Sequence, residues 1–297
     1  MNTPVMFNRR LREQEIEEWL NITEKSNDAG HMKRTLAKSF LQLPETIAFI
    51  SSINEEIIGG TSIYRDRIRL GMVLSSVAIK KEYRETCVYQ VIKTSLPFMK
   101  TVAIRDIDAL IAKKGSNKGI GFPASFELSK WLESTLERIG FMPVGNIMSY
   151  TLQKNNDSVS ESNGKLWDPE PNLEGAKRLI WTQSRTTGLT TSLIWTALDF
   201  AFNRGSLRTL TLNGSTRIVT SIDRLTDIAL IGLLVTNPEY SENSVLNHLV
   251  AELLRGPETC IALPLIGEGQ AELVKLLANR LGASYRKQSL TLLRKRL

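Results

Sequence analysis

The second half of the chain runs through the same order of elements as the first, and a repeat of this length restricts the fold more than any single motif does. Two anchors carry it. Glu82-Tyr83, just ahead of an amphipathic helix, is matched by Glu239-Tyr240, and the helix-ending Ile139-Gly140 is matched by Leu281-Gly282. The second copy is shorter between these anchors. Most of the difference falls in Lys113 to Phe122, KKGSNKGIGF, which has only a short GEG counterpart at Gly267 to Gly269. Between the copies lies Gln153 to Asn172, QKNNDSVSESNGKLWDPEPN, whose only sizeable apolar groups are Val159, Leu166 and Trp167. Such a stretch cannot bury enough surface to fold alone. The expectation is an N-terminal domain over 1–154, a polar linker over 155–172 and a C-terminal domain over 173–297.

In the first copy, helical spacing over Glu13–Asn27 and Met32–Gln42 precedes strands at Thr46–Ile53 and Glu56–Tyr64, joined by an Asn54-Glu55 turn. Arg69–Lys80 is a further apolar strand. Val88, Val91, Ile92, Ser95, Leu96 and Met99 then predict a helix that Pro97 should kink or shorten. A buried strand at Asp108–Ala112, a helix entered through Pro123 and closed by Gly140, and terminal strands within Phe141–Leu152 complete the copy. The second copy reads as helices at Glu174–Thr186 and Leu189–Asn203 and extended segments at Ser206–Leu212 and Thr216–Ser221. An apolar strand at Ile228–Thr236, a helix through Val245–Leu254 and a strand at Cys260–Ile266 follow. The helix Glu272–Leu281, closed by Gly282, and the strand Ser284–Arg294 end it. The fold class is mixed α/β, with two domains that each hold a mixed central sheet flanked by helices.

Composition excludes several classes. The 38 basic and 31 acidic side chains leave a net charge of +7, spread over both halves except for Arg286, Lys287, Arg294, Lys295 and Arg296 at the C-terminus. No stacking-aromatic or zinc-finger signature accompanies that tail, so it reads as a solvated strand end and nucleic acid is not expected as a partner. The longest apolar run, Ile228–Val235, contains Gly232 and falls well short of the roughly 20 residues that span a bilayer. The start, MNTPVMFNRRL, lacks a secretory core, so a soluble cytoplasmic protein without a membrane partner is expected. Cys87 and Cys260 stand far apart, which argues against a disulfide framework and a cysteine-rich zinc site.

The informative pattern is a strand running into the N-terminus of a helix, whose first amides lack intrahelical acceptors and suit a pyrophosphate. The two junctions read VAIKKEYRETCVYQVIK, Val77 to Lys93, and LVTNPEYSENSVLNHLV, Leu234 to Val250. Both resemble the acetyl-coenzyme A motif of the GNAT superfamily of N-acetyltransferases, where V-x-P-x-Y-R leads into R/Q-x-x-G-x-G/A. The family's Tyr-x-x-x-Gly-Phe pattern is matched in part by Leu136–Phe141 and by Ala278–Ala283. The resemblance covers nearly the whole of each half and implies tandem GNAT-like domains.

That resemblance implies acetyl-coenzyme A, or another acyl-coenzyme A, as cofactor and direct acyl transfer to a small-molecule or protein amine. It places backbone donors at Arg84, Glu85, Thr86, Cys87 and Val88, and strand groups within Ser76–Ile79, chiefly Val77 and Ile79. Arg84 fits the first motif position, while Cys87 and Tyr89 replace the two small residues. Ser241, Ser244 and Leu246 hold those three places in the second copy. A Cβ there occupies ligand space, and the second copy lacks the basic residue, so the first junction is the better site. The family's acid, a tyrosine, is Leu136 in one copy and Ala278 in the other, so no catalytic residue is assigned. The alternative is a catalytically inactive tandem GNAT-fold interaction module.

Other residues carry weaker signals. Cys87 reads as small apolar packing or as a helix-end nucleophile. His31 and His248 are the only histidines, and no partner is legible for either. Gly115, Gly119 and Gly121 with Lys114 and Lys118 match a phosphate loop only loosely. Glu55 and Glu56 read as solvated hairpin residues, and Tyr64, Asp66 and Arg67 as a polar turn near an acceptor site.

Overall fold

Asn54 and Glu55 both take positive φ, 48° and 69°, and the reversal they make folds β2 (Thr46–Ile53) antiparallel onto β3 (Glu56–Arg65). The computed structural model describes residues 5–26, 34–65, 71–99, 106–112, 127–154, 167–183, 187–188, 191–225, 227–237 and 242–297. Ahead of the hairpin stand β1 (Met6–Arg10), α1 (Ile16–Ser26) and α2 (Arg34–Leu41). After it come β4 (Met72–Ile79), α3 (Arg84–Met99), β5 (Asp106–Ala112), the short β6 (Glu127–Leu128), α4 (Glu133–Ile139) and β7 (Met142–Gln153). The second run has α5 (Leu173–Gln183), α6 (Thr191–Asn203), β8 (Leu207–Leu212), β9 (Ser215–Arg224) and β10 (Ile228–Thr236). α7 (Glu242–Leu254), β11 (Cys260–Ile266), α8 (Ala271–Arg280) and β12 (Ser284–Arg296) complete it.

Two compact units result, and the first is not a continuous piece of chain: unit 1 is 1–146 with 290–297, and unit 2 is 147–289. In unit 1, β1 to β4 form an antiparallel succession, β4 meets β5 in parallel, and β5 is flanked by the far end of β12, from Leu290 opposite Ala112 to Arg296 opposite Asp106. In unit 2, β8, β9 and β10 are antiparallel neighbours, β10 meets β11 in parallel, and β11 takes the end of β7, Gln153 opposite Cys260. Phe141–Leu152, expected as terminal strands of the first copy, is thus one strand whose last residues lie in unit 2. Strand pattern specifies a face and a length but not a partner, which is why pairing of this kind is hidden from sequence.

One face of unit 1 carries α1 and α2. Gly60 of β3 lets Trp19 of α1 seat there, because a β-carbon on Gly60 would stand 2.6 Å from the indole and 1.9 Å from the Phe49 carbonyl oxygen. The other face is an apolar layer in which Val77 and Ile79 of β4 meet Val88, Val91 and Leu96 of α3 and Leu136 of α4. Helix α3 runs through Pro97 to Met99. α4 and α8 end alike: Gly140 (φ 100°) and Gly282 (φ 59°) turn left-handed, and the amides of Phe141 and Ala283 donate back to Leu136 and Ala278. Unit 2 has its own apolar layer from Leu246 and Leu249 of α7, Leu277 of α8 and the strands beneath. Trp167 packs against this layer, and Asp168 is bonded to β8 through Thr209 and Thr211. The visible end of the polar linker is therefore held by unit 2, while residues 155–166 lie outside the described residues. Among the described residues no helix is long and apolar enough to cross a membrane.

Candidate functional site

The site in unit 1 begins where β4 and β5 part. Their register has two pairs, Met72 with Ile107 and Val73 with Asp108, although β4 continues to Ile79 and β5 to Ala112. Beyond that point β6 takes the side of β5, with Glu127 at Leu110 and Leu128 at Ile111. Along β4 the backbone groups alternate in direction. The Lys80 amide donates to Ile58 of β3 at 2.8 Å, so the alternate residues Ile79 and Val77 turn their N–H and C=O groups into the gap. Ile79 is already engaged there: its N–H donates to Ser26 Oγ at 2.9 Å, and its carbonyl, at 2.8 Å, shares that hydroxyl's proton with the Ile22 carbonyl at 2.6 Å. Val77 presents a further gap-facing pair.

A turn over Lys81–Tyr83 then feeds α3. The amides of Tyr83 and Arg84 donate within that turn, to Lys80 and Lys81, so the first-turn donors left for a ligand are those of Glu85 and Thr86. Arg84 reaches back to the Ser26 carbonyl at 2.8 Å, and its guanidinium lies 4.7 Å from the ring centre of Trp131, in the turn that enters α4. Trp131 Nε1 is buried and has no hydrogen-bond partner among the described residues. An indole N–H in that condition lacks an acceptor, and beside an arginine and a helix N-terminus an anionic oxygen would supply it.

Cys87 turns its sulfur toward Thr86 Oγ1, at 3.4 Å, and packs on the apolar layer, while Val88 is buried within it. The Tyr89 ring is flanked by Arg138 at 5.0 Å and Lys93 at 5.4 Å, which sets it on the flank of α3 that faces α4. Glu82 and Glu85 add negative charge at the helix entrance. The exposed Lys80–Glu56 pair, 2.6 Å apart, holds the Glu56 carboxyl below its usual range, and Glu56 raises the Tyr83 phenol. Beside this junction a cleft of about 650 Å³ is lined by Glu18, Asn21, Ile22 and Lys25 of α1 and by Lys80, Lys81 and Glu82.

Several expected residues lie elsewhere. Leu136 and Ala278 are fully buried in their apolar layers, so neither position offers a proton. His248 sits partly buried in α7, and burial lowers its pKa; burial raises the Cys260 thiol. His31, Asp66, Arg67, Ser241, Glu239-Tyr240 and the glycine-lysine stretch at 113–122 are outside the described residues, and Tyr64 is core, 5.5 Å from Phe40. Among the described residues no group of three or more metal-ligating side chains converges. Ser26 and Trp131 were not legible as site residues. Nothing local marks Ser26, and the spacing of Trp131 with Leu128 and Leu132 is that of an ordinary buried helix face.

No family model matches the chain, and no curated protein matches it. Solved structures do, over nearly its whole length. A candidate acetyltransferase from Pyrococcus horikoshii is 16% identical, with 100% of this chain and 91% of that one covered and a TM-score of 0.65. A tandem GNAT protein of the clavulanic acid biosynthesis pathway is 10% identical, with 98% of each chain covered and a TM-score of 0.62. The chain has the tandem GNAT fold. A GCN5-related N-acetyltransferase from Sphaerobacter thermophilus agrees, at 10% identity, 98% and 95% coverage and a TM-score of 0.58. In that fold the parted strands β4 and β5 and the start of α3 form one continuous feature of unit 1, and β10, β11 and α7 form its counterpart in unit 2.

Proposed function

We propose that the protein is an acyl-coenzyme A-dependent N-acyltransferase whose cofactor site lies in unit 1. The observation that carries this reading is the gap itself: β4 leaves β5 after Val73, turns the Val77 backbone into the opening and runs directly into the N-terminus of α3. Bound acyl-coenzyme A supplies a thioester activated toward an amine. Val77 N–H and C=O match an amide-bearing arm laid along the strand edge. Arg84, the amides of Glu85 and Thr86 and the unpartnered Trp131 N–H match a diphosphate. Cys87 and Val88 shape that turn by anchoring it in the core, and Ser26 occupies Ile79 so that the strand edge ends there.

The acceptor enters through the cleft beside α1, whose lining sets Glu18 and Glu82 among Lys25, Lys80 and Lys81 and where Asn21 offers hydrogen bonds. Dependence on acyl-coenzyme A would place the protein in the cytoplasm, where that thioester is supplied. No side-chain acid stands at Leu136, so the proton for the leaving group comes from solvent in this reading. The test is a thermal melt with acetyl-coenzyme A. A rise in Tm is expected, together with its loss in Arg84→Glu and thioester turnover with a panel of small amines. Absence of any shift at millimolar cofactor would refute the reading.

A further inference from the structure

The second copy of the gap is not open in the same way. In unit 2 the parallel register of β10 and β11 has three pairs, Ile228 with Cys260 to Leu230 with Ala262, and β10 then continues to Thr236 paired with β9 but not with β11. Into this space projects Gln270, which is 6% exposed and closes the turn that enters α8. Its Nε2 donates to the Leu234 carbonyl, and its Oε1 accepts from the Gly267 amide at 3.0 Å. Aligning VAIKKEY with LVTNPEY makes Leu234 the counterpart of Val77. The bond to Gly267 is an ordinary helix-entry cap. The bond to Leu234 is not required by capping and satisfies a strand carbonyl across the gap.

A second feature closes the same place. The carbonyl oxygen of Thr187, in the connection between α5 and α6, would stand 1.5 Å from a β-carbon on Gly267, and Gly188 (φ 69°) lies against Glu268. Only glycine at 267 permits that approach. In unit 1 the third residue of the corresponding turn, Lys130–Leu132, is Leu132, buried in the apolar layer and without a polar atom to extend toward β4.

We infer that the gap of unit 2 is an amide-recognition site kept filled by the chain's own Gln270 carboxamide, so that the protein holds one cofactor and keeps its second copy closed. The ligand class such a gap fits is an extended, amide-bearing chain of the pantetheine type. This extends the reading proposed for unit 1 to its structural counterpart.

The experiment is calorimetric titration of the wild type, Gln270→Gly and Gln270→Asn with coenzyme A and with pantetheine, which carries two amides and no phosphate. Wild type is expected to take one coenzyme A per chain. Gln270→Gly is expected to melt below wild type and to take one additional pantetheine, which raises its Tm. A folded Gln270→Gly that binds no more pantetheine than wild type overturns the inference, as does a wild type that binds two coenzyme A molecules. Should the glycine variant not fold, Gln270→Asn, which withdraws the carboxamide by one methylene, is judged by the same count. If wild type binds none while a Gln270 variant gains one pantetheine, the reading of unit 1 fails and with it the single-cofactor count, while the assignment of Gln270 as the occupant of the unit 2 gap stands.

Discussion

Ser26 Oγ accepts the Ile79 amide at 2.9 Å and shares its one proton between the carbonyls of Ile22 at 2.6 Å and Ile79 at 2.8 Å, so the last residue of α1 caps the free edge of β4. Both Ile79 backbone groups are buried, and water has no ready access to replace the hydroxyl. Ser26→Ala is therefore expected to lower stability by about 1–3 kcal/mol, the cost of buried polar groups left unmet. The check is a urea titration in which the midpoint falls while the slope is unchanged. An unaltered midpoint would mean that the contact carries nothing.

Trp131 separates packing from ligand binding. Trp131→Phe keeps an aromatic face under Arg84 but removes the buried N–H that no described residue accepts. Stability is expected to hold or rise slightly, since an unmet donor is removed, while coenzyme A affinity falls by about 1–2 kcal/mol. Trp131→Ala should lower both, because it opens a cavity as well. Equal affinity in wild type and Trp131→Phe would place the indole outside the binding site.

Much of the fold was legible because it rests on local physics. Gly140 and Gly282 could be read as helix ends because the left-handed turn after a helix favours glycine, and the Asn54-Glu55 reversal was marked by flanking β patterns. The strand-to-helix junction at Val77–Val88 was legible for the same reason. What stayed hidden depends on contacts between residues far apart in sequence. Ser26 and Ile79 are separated by 53 positions and Arg294 and Asp108 by 186, and no periodicity announces either pair. Gln270 looks like any helix-entry residue until Leu234 is seen opposite it. Trp131 was hidden for another reason: its spacing is that of a core residue, and only its orphaned nitrogen sets it apart.

Arg294 of β12 grips Asp108 of β5 with two bonds, at 2.7 and 3.0 Å, and Asp108 is wholly buried. Arg294→Ala leaves a buried carboxylate without its counter-charge and is expected to cost about 3–5 kcal/mol. The double variant Arg294→Ala with Asp108→Asn should recover part of that loss, because the uncompensated charge is gone. Recovery is measured by equilibrium unfolding, and its absence would show that the loss comes from strand packing alone.

Acid sensitivity should centre on the contact between α1 and α2. Glu17 accepts from Lys38 at 2.8 Å and from Arg34 at 2.7 Å, and Arg34 also pairs with Glu24 at 3.0 Å. Lys38 foremost, then Arg34, hold the Glu17 carboxyl down to about 2, against its ordinary 4.5. A carboxyl depressed on folding stabilises above its unfolded pKa, and the benefit is lost as pH falls through its folded pKa. The contribution should therefore be complete near pH 6 and decline between about pH 4.5 and pH 2. Glu17 is fully exposed, so the slope should be small and should flatten further in high salt. Glu17→Gln is expected to match wild type at pH 2 and to melt lower at pH 6. A Tm difference between the two proteins that stays constant across that range would exclude ionisation of Glu17 as its source.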